Sequence, residues 1–117
     1  MKLRMQSNSV RLRLSQAEVA TLGQSGRVEE SVQFGPDGAL RYSVECAEIP
    51  RPSASMEGGF IRVKLPRGEV KHWIETDQTG IEATQGPLRL LIEKDFKCIH
   101  RDSAEDADSF PNPLPGR

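Results

Sequence analysis

Near the end of the sequence stand four residues of types that bind metals: Asp95, Cys98, His100 and Asp102. Thiolate and imidazole are good ligands for zinc or copper, and the spacing C-x-H puts two such donors on the same side of an extended segment. Asp95, Cys98 and His100 are therefore the candidate metal ligands. A structural zinc site normally takes four donors, and the other soft donors, Cys46 and His72, stand at no recognised ligand spacing. The competing reading is a small buried thiol beside a surface histidine, which needs no cofactor. Nucleophilic chemistry is served less well. A cysteine nucleophile needs a base within hydrogen-bond reach, and nothing in the local sequence pairs His72 or His100 with Cys46 or Cys98. Gly58-Gly59 and Gly35-Pro36-Asp37-Gly38 lack the following lysine or helix start that a phosphate loop needs, and read as turns.

The second candidate is a charged face. Arg11, Arg13, Arg41, Arg62, Lys64 and Arg89 occupy strand positions opposite apolar residues, interleaved with Glu29, Glu45, Glu82 and Glu93. Of these, Arg11, Arg13, Arg62 and Lys64 are the candidate anion-binding residues, suited to a phosphorylated or carboxylated ligand. The alternation resembles that of the triphosphate tunnel enzymes. Those enzymes carry E-x-E-x-K near the start, where this chain reads Lys2-Leu3-Arg4-Met5-Gln6, so it departs from the family at its signature. A solvated sheet face with cross-strand Arg and Glu pairs explains the same pattern. Trp73 reads as a core anchor, and Phe110 to Pro113 as a docking segment or a pin for the tail.

The elements that hold these residues follow from periodicity. Ser9 to Leu14, SVRLRL, alternates apolar and basic residues as a strand with one buried face does. Leu3 and Met5 alternate on the other phase, which calls for a bulge or a break within Gln6, Ser7 and Asn8. Ser15 with Glu18 forms a capping box and starts a helix over about Gln16 to Leu22, with Gly23 and Gly26 to end it. Strands are expected over Arg27 to Phe34 and Leu40 to Cys46, joined at Gly35 to Gly38. Ala47 to Gly59 reads as a connector. The pattern then repeats: IRVKL over Ile61 to Leu65 matches VRLRL, Glu69 and Val70 match Glu18 and Val19, and LRLLIE over Leu88 to Glu93 matches LRYSVE. The expected fold is α+β: an antiparallel sheet with two short helices on one face, built from duplicated βαββ units over residues 9–46 and 60–95. Residues 1–100 form the expected single domain, and 101–117 an extended, acidic, proline-containing tail.

Composition sets the bounds. The chain has 117 residues, a size that suits one core. Sixteen Lys and Arg against seventeen Asp and Glu give a net charge of -1, so no global field draws the protein to nucleic acid or anionic lipid. The aromatics form no stacking platform, which also counts against nucleic acid. No apolar run is long enough to span a bilayer, and charges interrupt the start where a signal peptide needs its apolar core. Two cysteines are too few for a disulfide framework, and the expected compartment is the cytoplasm.

The stretches NSVRLRLS (Asn8 to Ser15), ETDQTGIE (Glu75 to Glu82), EKDF (Glu93 to Phe96) and FPNP (Phe110 to Pro113) resemble a family of small bacterial proteins with no established activity. The resemblance implies a free-standing bacterial cytoplasmic protein and carries over no catalytic residue. The expectation is a non-enzymatic binding or interaction protein that engages a protein partner or a second copy of itself, with no membrane, no nucleic acid and no cofactor. The rivals are a zinc site on Cys98 and His100, and a phosphohydrolase-like anion site on the charged face.

Overall fold

A computed structural model describes residues 1–96. It opens with a hairpin of β1 (Lys2–Gln6) and β2 (Ser9–Leu14). The expected break in apolar phase is the hairpin turn itself. Ser7 takes a positive φ of 52°, and the chain reverses so that Leu3 lies opposite Leu12 and Met5 opposite Val10. Both phases therefore share one face. Helix α1 (Gln16–Ser25) starts at the capping box: the Glu18 N–H donates to Ser15 Oγ at 3.3 Å, and the Ser15 N–H to Glu18 Oε1 at 2.8 Å. It runs through Gly23 and stops at Gly26, whose φ of 78° is a left-handed cap that glycine adopts without strain. Strands β3 (Arg27–Gln33) and β4 (Ala39–Ala47) form the next hairpin, closed where the Phe34 N–H donates to Gly38 O at 2.7 Å.

The second half repeats this order with β5 (Ser53–Glu57), β6 (Phe60–Pro66), α2 (Arg67–Glu75), β7 (Gly80–Gln85) and β8 (Leu88–Lys94). The stretch read as a connector thus contains a strand, β5, and the repeated unit is ββαββ, one strand longer than expected. Pro66 serves as the N-cap of α2, with the extended ψ of 133° that such a position takes.

The class is α+β, but the strands divide into two sheets. The first has the order β1-β2-β8-β7 and the second β3-β4-β6-β5. Outer pairs are antiparallel, while the central pairs β2–β8 and β4–β6 are parallel. Each sheet takes one hairpin from each half, so the two sheets are twins with the halves exchanged. Their hydrogen bonds repeat accordingly. Arg89 N–H donates to Asn8 O at 3.0 Å and Arg41 N–H to Gly59 O at 2.9 Å; Lys94 N–H donates to Thr79 O at 3.0 Å and Cys46 N–H to Gly26 O at 2.8 Å.

One apolar cluster joins the two sheets and both helices, with Leu12, Leu90 and Ile92 from the first sheet, Val44, Val63 and Leu65 from the second, and Leu22, Val70 and Trp73 from the helices. Trp73 is fully buried, as its sequence position suggested. Two contacts tie the sheets together at their rims. The Gln85 side-chain amide closes on the edge strand β5, donating to Ala54 O and accepting from Ala54 N–H, both at 2.9 Å. At the opposite rim Tyr42 donates to Met1 O at 3.2 Å. Among the described residues no helix is long and apolar enough to cross a membrane.

Candidate functional site

Of the expected metal ligands only Asp95 falls among the described residues; Cys98, His100 and the tail lie outside them. The Asp95 carboxylate pairs with Lys2 at 3.0 Å, and its N–H donates to Leu14 O at 2.8 Å. Among the described residues no group of three His, Cys, Asp or Glu side chains is arranged to hold a metal. His72 is exposed on α2 and hydrogen-bonds Gln78 at 2.7 Å. Cys46 sits beside α1, its sulfur 4.0 Å from Leu22 O. Burial pushes its thiol up, with the nearby Arg67 opposing, which is the reverse of an activated nucleophile.

The expected anion-binding residues are divided between the sheets. Arg62 and Lys64 lie on β6 in the second sheet, where the cations are largely engaged. Arg27 and Arg41 pair with Glu29, and Arg27 and Arg62 with Glu45, at distances that include 3.2 Å for Arg27–Glu45 and 3.1 Å for Arg62–Glu45. The Phe60 ring also carries the guanidinium of Arg41 at 4.2 Å and that of Arg62 at 4.8 Å. Ser43, fully buried, donates to Glu45 at 2.9 Å. Most of the arginines on this face are thus paired over an aromatic base, although the buried Arg62 Nε lacks a hydrogen-bond partner and Lys64 has no acidic partner among the described residues.

Arg11 and Arg13 lie on β2 in the first sheet, and there the structure adds two cations that the sequence reading did not include. The β1–β2 register sets Lys2 directly opposite Arg13 and Arg4 directly opposite Arg11. Together the four line a groove of 220 Å³. Opposed residues are about 5 Å apart and successive same-face residues about 7 Å, so four positive charges occupy a patch of that size. Two carboxylates face them. Glu93 forms ion pairs with Arg11 at 3.4 Å and with Arg13 at 3.5 Å, although its buried Oε1 accepts no hydrogen bond. Asp95 takes Lys2. Arg4, exposed, reaches only Gln6 Oε1 at 3.3 Å and has no acidic partner among the described residues. In the twin sheet the positions of Lys2 and Arg4 hold Ser53 and Ser55, so the four-cation patch belongs to the first sheet alone.

Beside this patch the chain start anchors β1. The Met1 ammonium is part-buried and donates to Glu18 and Glu30, and Tyr42 donates to Glu30 at 3.2 Å. Burial pulls the ammonium down, but its two carboxylate bonds more than reverse this and raise it above its ordinary value. Burial likewise pushes the Glu18 carboxyl up, and the Met1 ammonium and the Ser15 N–H outweigh it, holding Glu18 below the usual range. Burial and then the Glu30 charge push Tyr42 up.

The chain is thus an α+β fold of two ββαββ halves that exchange hairpins, with a cationic patch on one sheet. The chain belongs to a family of unknown function, DUF7009, whose model matches residues 1–114. No curated protein and no solved structure matches it.

Proposed function

We propose that this chain is a non-enzymatic binding protein whose working surface is the charged face of the first sheet, where Lys2, Arg4, Arg11 and Arg13 receive an anionic group of a partner. The observation that carries this reading is the register of β1 on β2, which stacks two pairs of like charges directly across from each other. Such pairs destabilise a sheet, and their cost is recovered when an anion sits between them. Protection of a sheet edge by lysine and arginine accounts for Lys2 and Arg4 on β1. It does not account for Arg11 and Arg13, which lie on the inner strand β2.

Titration with tripolyphosphate at low ionic strength, followed by calorimetry and thermal unfolding, tests the reading. Saturable binding with a rise in Tm is expected, lost in the double variant Arg4→Ala with Arg11→Ala and kept in Arg62→Ala. Equal loss in both variants, or no binding to the natural protein, overturns it.

A further inference from the structure

The outer edge of β1 differs from its twin. In the β5–β6 hairpin the two-residue turn at Gly58-Gly59 makes Glu57 and Phe60 the first bonded pair, so Ala54 and Met56 turn their backbone groups outward. The Gln85 amide satisfies both groups of Ala54. In the β1–β2 hairpin the turn at Ser7-Asn8 sets the same alternation, and Leu3 and Met5 point their N–H and C=O outward. Leu3 is the twin of Ala54, but the residue corresponding to Gln85 is Val32, which has no amide to offer and is 43% exposed. Among the described residues no hydrogen bond caps Leu3 or Met5 at this edge. Met5, 56% exposed, adds an apolar surface on the opposite face from Arg4.

Resting on the anion-binding reading above, we infer that the partner is an extended acidic peptide that adds to the first sheet as a fifth strand along β1. Backbone groups of Leu3 and Met5 supply the pairing, as in other strand-addition complexes. Alternation then sorts the peptide's side chains. Acidic residues fall on the face of Lys2 and Arg4, within reach of Arg11 and Arg13 behind them, and apolar residues fall beside Leu3 and Met5. An oligophosphate uses the four charges alone. A strand uses the charges, the open edge and the exposed methionine together.

The test uses the full chain and four probes: a peptide of alternating glutamate and valine, the same peptide N-methylated at every valine, the same N-methylated at every glutamate, and tripolyphosphate. In a paired strand, alternate N–H groups face the protein. One methylated peptide is therefore expected to bind at least about tenfold more weakly than the parent, while the other binds as the parent does. Met5→Pro removes an outward N–H and leaves the four cations in place. It is expected to lose the peptide and keep tripolyphosphate, which also shows that the variant is folded. If all three peptides bind alike, or if tripolyphosphate binds and the parent peptide does not, strand addition is overturned and the anion site stands. If neither peptide nor tripolyphosphate binds, both readings fall.

Discussion

Setting Arg4 against Arg11 and Lys2 against Arg13 works against the stability of the hairpin, so replacing one member with an acid should stabilise the protein while removing its anion affinity. For Arg4→Glu a gain of about 0.2–1 kcal/mol is expected in low salt from the denaturant midpoint, shrinking as salt screens the pair. An equal or lower midpoint would remove the claim that these charges are held in opposition for a purpose other than folding. Glu18 gives a second test at this scale. Its carboxyl is held below its ordinary value by the Met1 ammonium and the Ser15 N–H, so its contribution is present above the unfolded-state value of about 4.3 and is lost as pH falls through the lower folded value. Glu18→Gln should accordingly flatten the acid limb of the stability profile below about pH 4, read by thermal unfolding across pH.

At the scale of elements, β2, β4, β6 and β8 were legible because each turns an apolar residue to the core at every second position, even though β4 also buries Ser43 between Tyr42 and Val44, and α1 because Ser15 and Glu18 carry its cap in their types and spacing. Strand β5 was not, and β1 was legible only as an alternation of Leu3 and Met5 out of phase with β2, not as its hairpin partner. Both are edge strands exposed over most of their length, which leaves little apolar period to read. Missing β1 as the partner of β2 also hid Lys2 and Arg4, since their role depends on register. The same non-local pairing divided Arg11 and Arg13 from Arg62 and Lys64, because parallel contacts such as Val10 beside Leu90 leave no local mark. Close approach between elements yields a further prediction. A methyl group on Gly80 would lie 2.9 Å from the Ile92 carbonyl oxygen, which is backbone within the β7–β8 ladder, whereas one on Gly23 would meet only the end of Ile74 at 3.2 Å. Gly80→Ala should therefore destabilise by about 1–3 kcal/mol and Gly23→Ala by clearly less, both measured by urea unfolding.

Across the whole molecule, different devices tie the sheets at their rims: the Gln85 amide caps the β5 edge, while at the other rim Tyr42 holds the Met1 carbonyl and the outer edge of β1 carries no such cap among the described residues. Gln85→Leu removes two hydrogen bonds at about 1 kcal/mol each and frees the backbone of Ala54. A lower unfolding midpoint is expected, together with concentration-dependent self-association in sedimentation, since a newly opened edge invites pairing between copies. The exchange of hairpins between halves carries a further consequence, for the order in which the protein is made. On the ribosome, β2 emerges early and its central neighbour β8 emerges last of the described strands. The first hairpin therefore waits through most of translation with Leu12 and Leu14 lacking their final neighbours, and the second sheet, whose β4 and β6 are close in the chain, has the shorter closure to make. Assembly is thus expected to run from the second sheet to the first, and the strand that bears the anion patch is the one left longest available to chaperones.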